Sequence, residues 1–289
     1  MIAFVDGVFT EEPKISALDV GFQHGDGLFE TMRVAGGRVF RIDAHLERLR
    51  ASLAAVGIPE PAPIGGLDEI VGELASREKR PECMARVTIS RGELAAADGS
   101  AAPHGPTMVV HLRAVSKPPA GGRARVVVSS VVRAASSDPA LKSISFQPLV
   151  LAHRAALARG AHEALMLDPV GFVVEGAHSN IFWASGGELR TPSLDLGALP
   201  GVMRRFVIRE ADDAGTGFRE VRHMLDRVQA ADEVFITSVG IGIVGVASIE
   251  GEAVGEECPG LLTRSLAERL DAELAIFRRE STSSRDDSR

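Results

Sequence analysis

Lys142 stands in the run DPALKSISFQPLV and is one of only four lysines, with Lys14, Lys79 and Lys117, against 28 arginines. Ala140, Leu141, Ile144 and Phe146 flank it. A lysine held beside apolar groups loses hydration, and its amine becomes available as a neutral nucleophile for a Schiff base. Arginine cannot do this, because it stays protonated at any ordinary pH. The alternative is an ordinary solvated lysine. Glu175 closes FVVEG and is followed by Ser179 and Asn180 in EGAHSN. It reads either as a turn carboxylate at a strand end or as the acceptor for a pyridinium N–H, which would keep such a ring an effective electron sink. Arg48, in HLERLRAS, is either a snorkelling surface arginine or a ligand giving a phosphate a bidentate contact. The free amides at the helix start LPGVMR, residues 199–204, and the loop at Val239-Gly240 are further candidates for holding an anion.

The elements that must position these groups follow from pattern. Asp6-Gly7 and Ala35-Gly36-Gly37 sit between short apolar runs and predict hairpins. Leucines at 46, 49 and 53 with Val56 predict a helix from Asp43, which would cap it, to Gly57, which would end it. A second helix is expected over 67–79, and MARVTISR and PTMVVHLRAV are expected to share a sheet. SKPPAGG, residues 116–122, breaks the pattern and divides a smaller N-terminal domain, 1–115, from a larger one, 123–277. The larger domain should contain a helix over 146–159, the strand pairs EALMLD/FVVEG and NIFWA/ELRT, a helix from 202, and a last helix over 260–277. The polar residues 278–289 read as a flexible tail. Short strands mixed with helices, without regular alternation, argue an α+β fold made of two α/β domains.

Composition narrows the function classes. With 289 residues, 45% hydrophobic and 25% charged, the chain can bury a large core. Its net charge of −7 argues against a nucleic-acid partner or an anionic membrane surface. No apolar run reaches the ~20 residues of a bilayer span, and no signal segment is evident, so a cytoplasmic protein is expected. Cys83 and Cys258 match no metal-ligand spacing, HExxH is absent, and no metal is expected. Glycine-rich phosphate loops of the dinucleotide and nucleotide-triphosphate kinds are absent as well.

Taken together, FQHGDGLFETMRV, HLERL, LKSISFQPLVLA, EALMLDPVGFVVEGAHSNIFW, LRTPSLDLGALPGVMRR and ADEVFITS resemble the fold-type IV, class IV aminotransferase family. That family includes branched-chain aminotransferases, D-amino-acid aminotransferases and 4-amino-4-deoxychorismate lyases. The resemblance implies pyridoxal 5'-phosphate as cofactor and Lys142 as its Schiff-base lysine and proton shuttle. Glu175 would pair with the pyridine nitrogen. Arg48, the amides of Val202 and Met203, and the Val239-Gly240 loop would hold the phosphate. It also implies a homodimer acting on a small amino substrate. Retention of both Lys142 and Glu175 argues against a non-enzymatic relative.

Two departures bear on the reaction. Several relatives carry a tyrosine soon after the lysine; this chain has none, and offers Phe146 and Gln147. After ADEVF, where the aminotransferases commonly carry a glutamate, it reads SVGIGIVGV. Thr31 occupies a place where similar lyases carry a catalytic threonine, although a β-branched strand residue is the plain alternative. Arg91 is a candidate for a substrate carboxylate, and His104 is a weaker one. The expected reaction is therefore conversion of 4-amino-4-deoxychorismate to 4-aminobenzoate and pyruvate. The alternative is transfer of an amino group between a branched-chain L-amino acid, or less readily a D-amino acid, and 2-oxoglutarate.

Overall fold

A computed structural model describes residues 1–93, 105–133 and 141–286. They fall into two units, one of Met1–Ser116, Leu141–Ser145 and Glu273 onward, the other of Lys117–Ala140 and Phe146–Ala272. Division at residues 116–122 therefore separates most of the chain. The segment carrying Lys142, and the end of the last helix, nevertheless belong with the first unit.

The first unit opens with the hairpin β1 (Ala3–Val5) and β2 (Val8–Thr10), turned through Asp6 and Gly7 at φ 46° and 98°. Two positive φ values in succession match the twist of paired strands, which is why a DG pair serves here. There follow α1 (Val20–His24), β3 (Gly27–Ala35), β4 (Arg38–Val39), α2 (Ile42–Val56), α3 (Leu67–Arg77), β5 (Cys83–Ser90) and β6 (Thr107–Arg113). The strands form one antiparallel sheet in the order β2-β1-β6-β5-β3-β4. Leu49 and Leu53 of α2 join Leu67, Val71 and Leu74 of α3 in a core with Met32, Val34, Val87 and Ile89 of the sheet. Alternation along the strands sends the odd residues of β3 and the even residues of β5 to the other face.

The second unit contains β7 (Arg123–Val128), α4 (Gln147–Ala158), β8 (Glu163–Leu167), β9 (Val173–Gly176), β10 (Asn180–Ser185), β11 (Glu188–Pro192), α5 (Val202–Asp213), β12 (Phe218–Val221), α6 (Leu225–Gln229), β13 (Glu233–Ser238), β14 (Gly242–Ile249) and β15 (Glu252–Ala253). Its sheet runs β12-β11-β10-β13-β14-β7-β8-β9, with β15 paired to β14. The β11/β12, β14/β7 and β7/β8 pairs are parallel and the others antiparallel. Ile181, Phe182 and Trp183 are all fully buried, so β10 is covered on both faces. α4 packs Leu149, Ala152 and Ala156 against Ala164 and Met166 of β8. The last helix, α7 (Leu261–Asp286), begins in this unit.

Two local expectations are corrected. α2 begins at Ile42 after Arg41, which has φ 58°, so Asp43 lies in the first turn and not at the cap; Gly57 ends the helix at φ 64° as expected. Residues 278–286 are helical and not a loose tail. α7 continues to Asp286, Arg278 pairs with Glu82, and Phe277 packs edge-on against Phe40. Ser281 is fully buried against Gly36, whose positive φ and missing Cβ permit the approach.

Candidate active site

Lys142 is positioned by the free edge of β3. Phe29 N donates to the Lys142 carbonyl at 2.8 Å, and Ile144 N donates to Gly27 O at 3.0 Å. Leu28 and Ser143 form the bridge between them, so Lys142 lies opposite Phe29 and projects from the same face. Its Nζ stands 4.7 Å from the centre of the Phe29 ring. Register then carries the face across the sheet. Thr31 pairs with Arg86, and Arg86 with His111. The Arg86 guanidinium lies 3.7 Å from the centre of the Phe29 ring, on the same face as Lys142. Thr31 and Lys142 thus share one face of the sheet.

Arg86 is a candidate binding residue that reading the sequence misses. Its Nε donates to Thr88 Oγ1 at 3.3 Å, and among the described residues no carboxylate acts on it. Burial, then the nearby Arg113, pushes it down to about 10. His111 is pushed down to about 4 by burial, then by Arg113 and Arg86, and its Nε2 accepts from Arg113 Nε at 3.0 Å. A neutral imidazole and two arginines make this a cationic face with anion-binding character. The available signal was parity: in ARVTIS, Arg86 and Thr88 share one face of β5.

Arg91 lies just beyond that strand and is otherwise engaged. Its Nε donates to Asp26 Oδ2 at 2.6 Å, and its Nη groups donate to the carbonyls of Val56 and Gly57 at 2.8 Å. These contacts make Arg91 a brace between the end of α2 and Asp26. His104 lies outside the described residues.

On the other side of β3, Glu30 is 1% exposed and meets α2. Arg48 grips it with Nε to Oε1 and Nη2 to Oε2, both at 2.7 Å, while His45 Nδ1 lies 2.9 Å from Oε2. Burial alone would raise the Glu30 carboxyl, but Arg48 and His45 overcome it and hold it down at about 2. Burial, then Arg48 and Lys142, lowers His45 against the opposing pull of Glu30. The arginine expected to hold a phosphate is therefore immobilised by a buried carboxylate. His45 Nε2 is buried with no hydrogen-bond partner.

In the second unit Glu175 lies in β9, one residue before its end, and is buried. Its Oε2 accepts from Leu199 N at 2.8 Å and its Oε1 pairs with Arg133 at 3.1 Å. Asn180 Nδ2 donates to Leu199 O at 2.8 Å, and a Cβ on Gly201 would overlap Asn180 Oδ1. Glu175, Asn180 and the start of α5 are thereby locked together. Gly201 is extended and α5 has no side-chain cap, which leaves Val202 and Met203 amides in the first turn to meet an anion. Asn180 also pairs with Thr237, which places it two residues before the Val239-Gly240 turn that joins β13 to β14. Phe146 precedes α4 and stacks on His178 at 5.4 Å, so it does not take the place of the missing tyrosine by any polar contact.

The family model described as Amino-transferase class IV matches residues 27–249. The chain belongs to this family. It is 32% identical over 279 residues to a Methanocaldococcus jannaschii protein named "Putative branched-chain-amino-acid aminotransferase", covering 93% of this chain and 95% of the relative. It is 30% identical over 259 residues to the aminodeoxychorismate lyase of Bacillus subtilis, covering 88% of each. The Escherichia coli branched-chain amino acid aminotransferase superposes with a TM-score of 0.87 at 25% identity, over 94% of this chain and 93% of that one. The protein is thus a pyridoxal-phosphate-dependent enzyme of fold type IV. Its residues fit the cofactor: an unpartnered buried imidazole nitrogen beside a clamped arginine, a lysine over an aromatic ring, and an uncapped helix start tied to a buried carboxylate.

Proposed function

We propose that this class IV enzyme is a lyase converting 4-amino-4-deoxychorismate to 4-aminobenzoate and pyruvate. The observation that carries the reading is the sheet face beside Lys142. A branched aliphatic side chain needs an apolar pocket, whereas Thr31, Arg86, His111 and Arg113 present hydroxyl, imidazole and guanidinium groups. A substrate with two carboxylates suits that surface. The 30% identity to an aminodeoxychorismate lyase accords with it.

Bound pyridoxal phosphate supplies an electron sink for the charge that develops at the substrate's amino-bearing carbon. Lys142 would hold the cofactor covalently and, once displaced, take the proton from that carbon. Glu175 would face the ring nitrogen, its carboxylate held by Leu199 N and Arg133. Arg48, the amides of Val202 and Met203, and the Val239-Gly240 turn would hold the phosphate. Arg86 would take a substrate carboxylate in place of Arg91. Thr31, beside Arg86, would orient the departing enolpyruvyl group. Loss of pyruvate and aromatisation complete the reaction without an oxidant or an amino acceptor.

The second reading is a branched-chain aminotransferase, favoured by the Methanocaldococcus relative and the Escherichia coli structure. Purified enzyme should be offered 4-amino-4-deoxychorismate and, separately, leucine or D-alanine with 2-oxoglutarate. The lyase reading expects turnover of the first alone. Turnover of leucine with none of the first overturns it. The proposal includes a cytoplasmic homodimer, supported by the exposed Ile15, Leu18 and Phe22, at 50%, 63% and 70% exposure, close together in sequence. No helix among the described residues is long and apolar enough to cross a membrane.

A further inference from the structure

His153, Glu163 and His178 come from α4, β8 and the segment after Glu175, and their ligand atoms all lie within 4.8 Å of one another. Their sequence spacing matches no metal motif. The carboxylate is already oriented: Ala164 N donates to Oε1 at 2.9 Å, and His178 N and Ser179 Oγ donate to Oε2 at 3.1 and 2.9 Å. Such outer contacts are what a metal-binding carboxylate needs. His153 Nδ1 stands 3.3 Å from Glu163 Oε1. Ligand atoms around tetrahedral zinc, at about 2.0–2.1 Å from the ion, are about 3.3 Å apart, so this pair already has the required separation. The His178 ring packs 4.3 Å from His153 and stacks on Phe146, at an exposed position on the third side of the cluster.

We propose that His153, Glu163 and His178 bind a divalent transition-metal ion, zinc being the best match, with a fourth position left for water. Two imidazoles and one carboxylate suit borderline metals and do not suit magnesium or calcium, which take oxygen ligands. Zinc would replace the hydrogen bond between His153 and Glu163 with two metal bonds and keep the backbone and Ser179 contacts. Glu163 is 3% exposed, and three donors already fix its two oxygens. The site shares the Glu175–Ser179 segment with the candidate cofactor carboxylate. Its occupation is independent of which reaction the enzyme runs.

The test is equilibrium dialysis of the purified holoenzyme against zinc, with cobalt as a spectroscopic probe. About one zinc per chain is expected. Cobalt should give visible bands without the intense near-ultraviolet absorption of a thiolate ligand, which separates this site from Cys83 and Cys258. His178→Ala, at an exposed position, should weaken zinc binding tenfold or more and abolish the zinc-induced rise in unfolding temperature, with the zinc-free unfolding temperature unchanged. Glu163→Gln should also lose the metal. Absence of zinc binding by the wild-type holoenzyme, or undiminished binding in correctly folded His178→Ala, overturns the proposal.

Discussion

Glu30 and Glu175 are both buried carboxylates paired with an arginine, one in each unit, and they are held by different means. Glu30 is gripped by two side chains of a single helix, Arg48 and His45. Glu175 leans on Arg133 and on the backbone amide of Leu199, just before the uncapped start of α5. The first arrangement uses its carboxylate to fix a cation, the group proposed to meet the cofactor phosphate. The second keeps a carboxylate as the presented group and fixes it with the chain. Substitution should therefore damage stability in the first unit and chemistry in the second.

The largest effect is expected at Lys142, which belongs to neither pair. Lys142→Ala should lose the cofactor's lysine-bound absorbance and about 10⁴-fold in rate, because covalent and proton-transfer roles vanish together. An unchanged visible spectrum would remove it from the chemistry. Next comes the direct contrast. Glu175→Gln keeps a group able to accept from Leu199 N, so its rate should fall about 10²- to 10³-fold with little change in urea midpoint. Glu30→Gln strips the partner from buried Arg48 and should cost about 3–5 kcal/mol in urea unfolding. Equal stability losses in the two variants would erase the distinction.

Acid sharpens the same contrast. Glu30 has a folded pKa of about 2 against 4.5 for the free side chain. A depressed carboxyl stabilises the fold fully above its unfolded value and loses that contribution as pH falls through the folded one. About 3 kcal/mol should therefore disappear between pH 4.5 and 2. Glu30→Gln should flatten that part of the stability profile; an unchanged profile would contradict the buried pair. The smallest effect concerns the two arginines of one strand and its end. Arg86→Met should raise KM for a dicarboxylate substrate about 10- to 100-fold with cofactor absorbance intact, whereas Arg91→Gln should change stability and leave KM alone. The reverse result would restore Arg91 as the ligand.

Much of the site is legible in the chain. Lys142, Glu175 and Arg48 stand in runs whose order resembles a family, and the family match extends over residues 27–249. Hairpins at Asp6-Gly7 and Gly36-Gly37 and the end of α2 at Gly57 are also readable, since each depends on a local backbone conformation. What escapes is set by partners far away in sequence. Residues 278–286 look too polar for a helix, yet Glu82 holds Arg278 and Gly36 admits Ser281. Asp43 has capping chemistry, but Arg41 takes the left-handed entry to α2. Choosing Arg86 over Arg91 requires knowing which sheet face Lys142 shares, and only the bridge between Leu28 and Ser143 supplies that. His153, Glu163 and His178 likewise meet through the packing of α4 on β8.

The lyase reading is tested most directly by counting turnovers with 4-amino-4-deoxychorismate as the sole amine. Enzyme loaded with pyridoxal phosphate, and given no 2-oxo acid, should release pyruvate and 4-aminobenzoate in equal amounts over many cycles. Consumption of a single enzyme equivalent of the amine without release of pyruvate, followed by a stall relieved by adding 2-oxoglutarate, would contradict the account and show an aminotransferase.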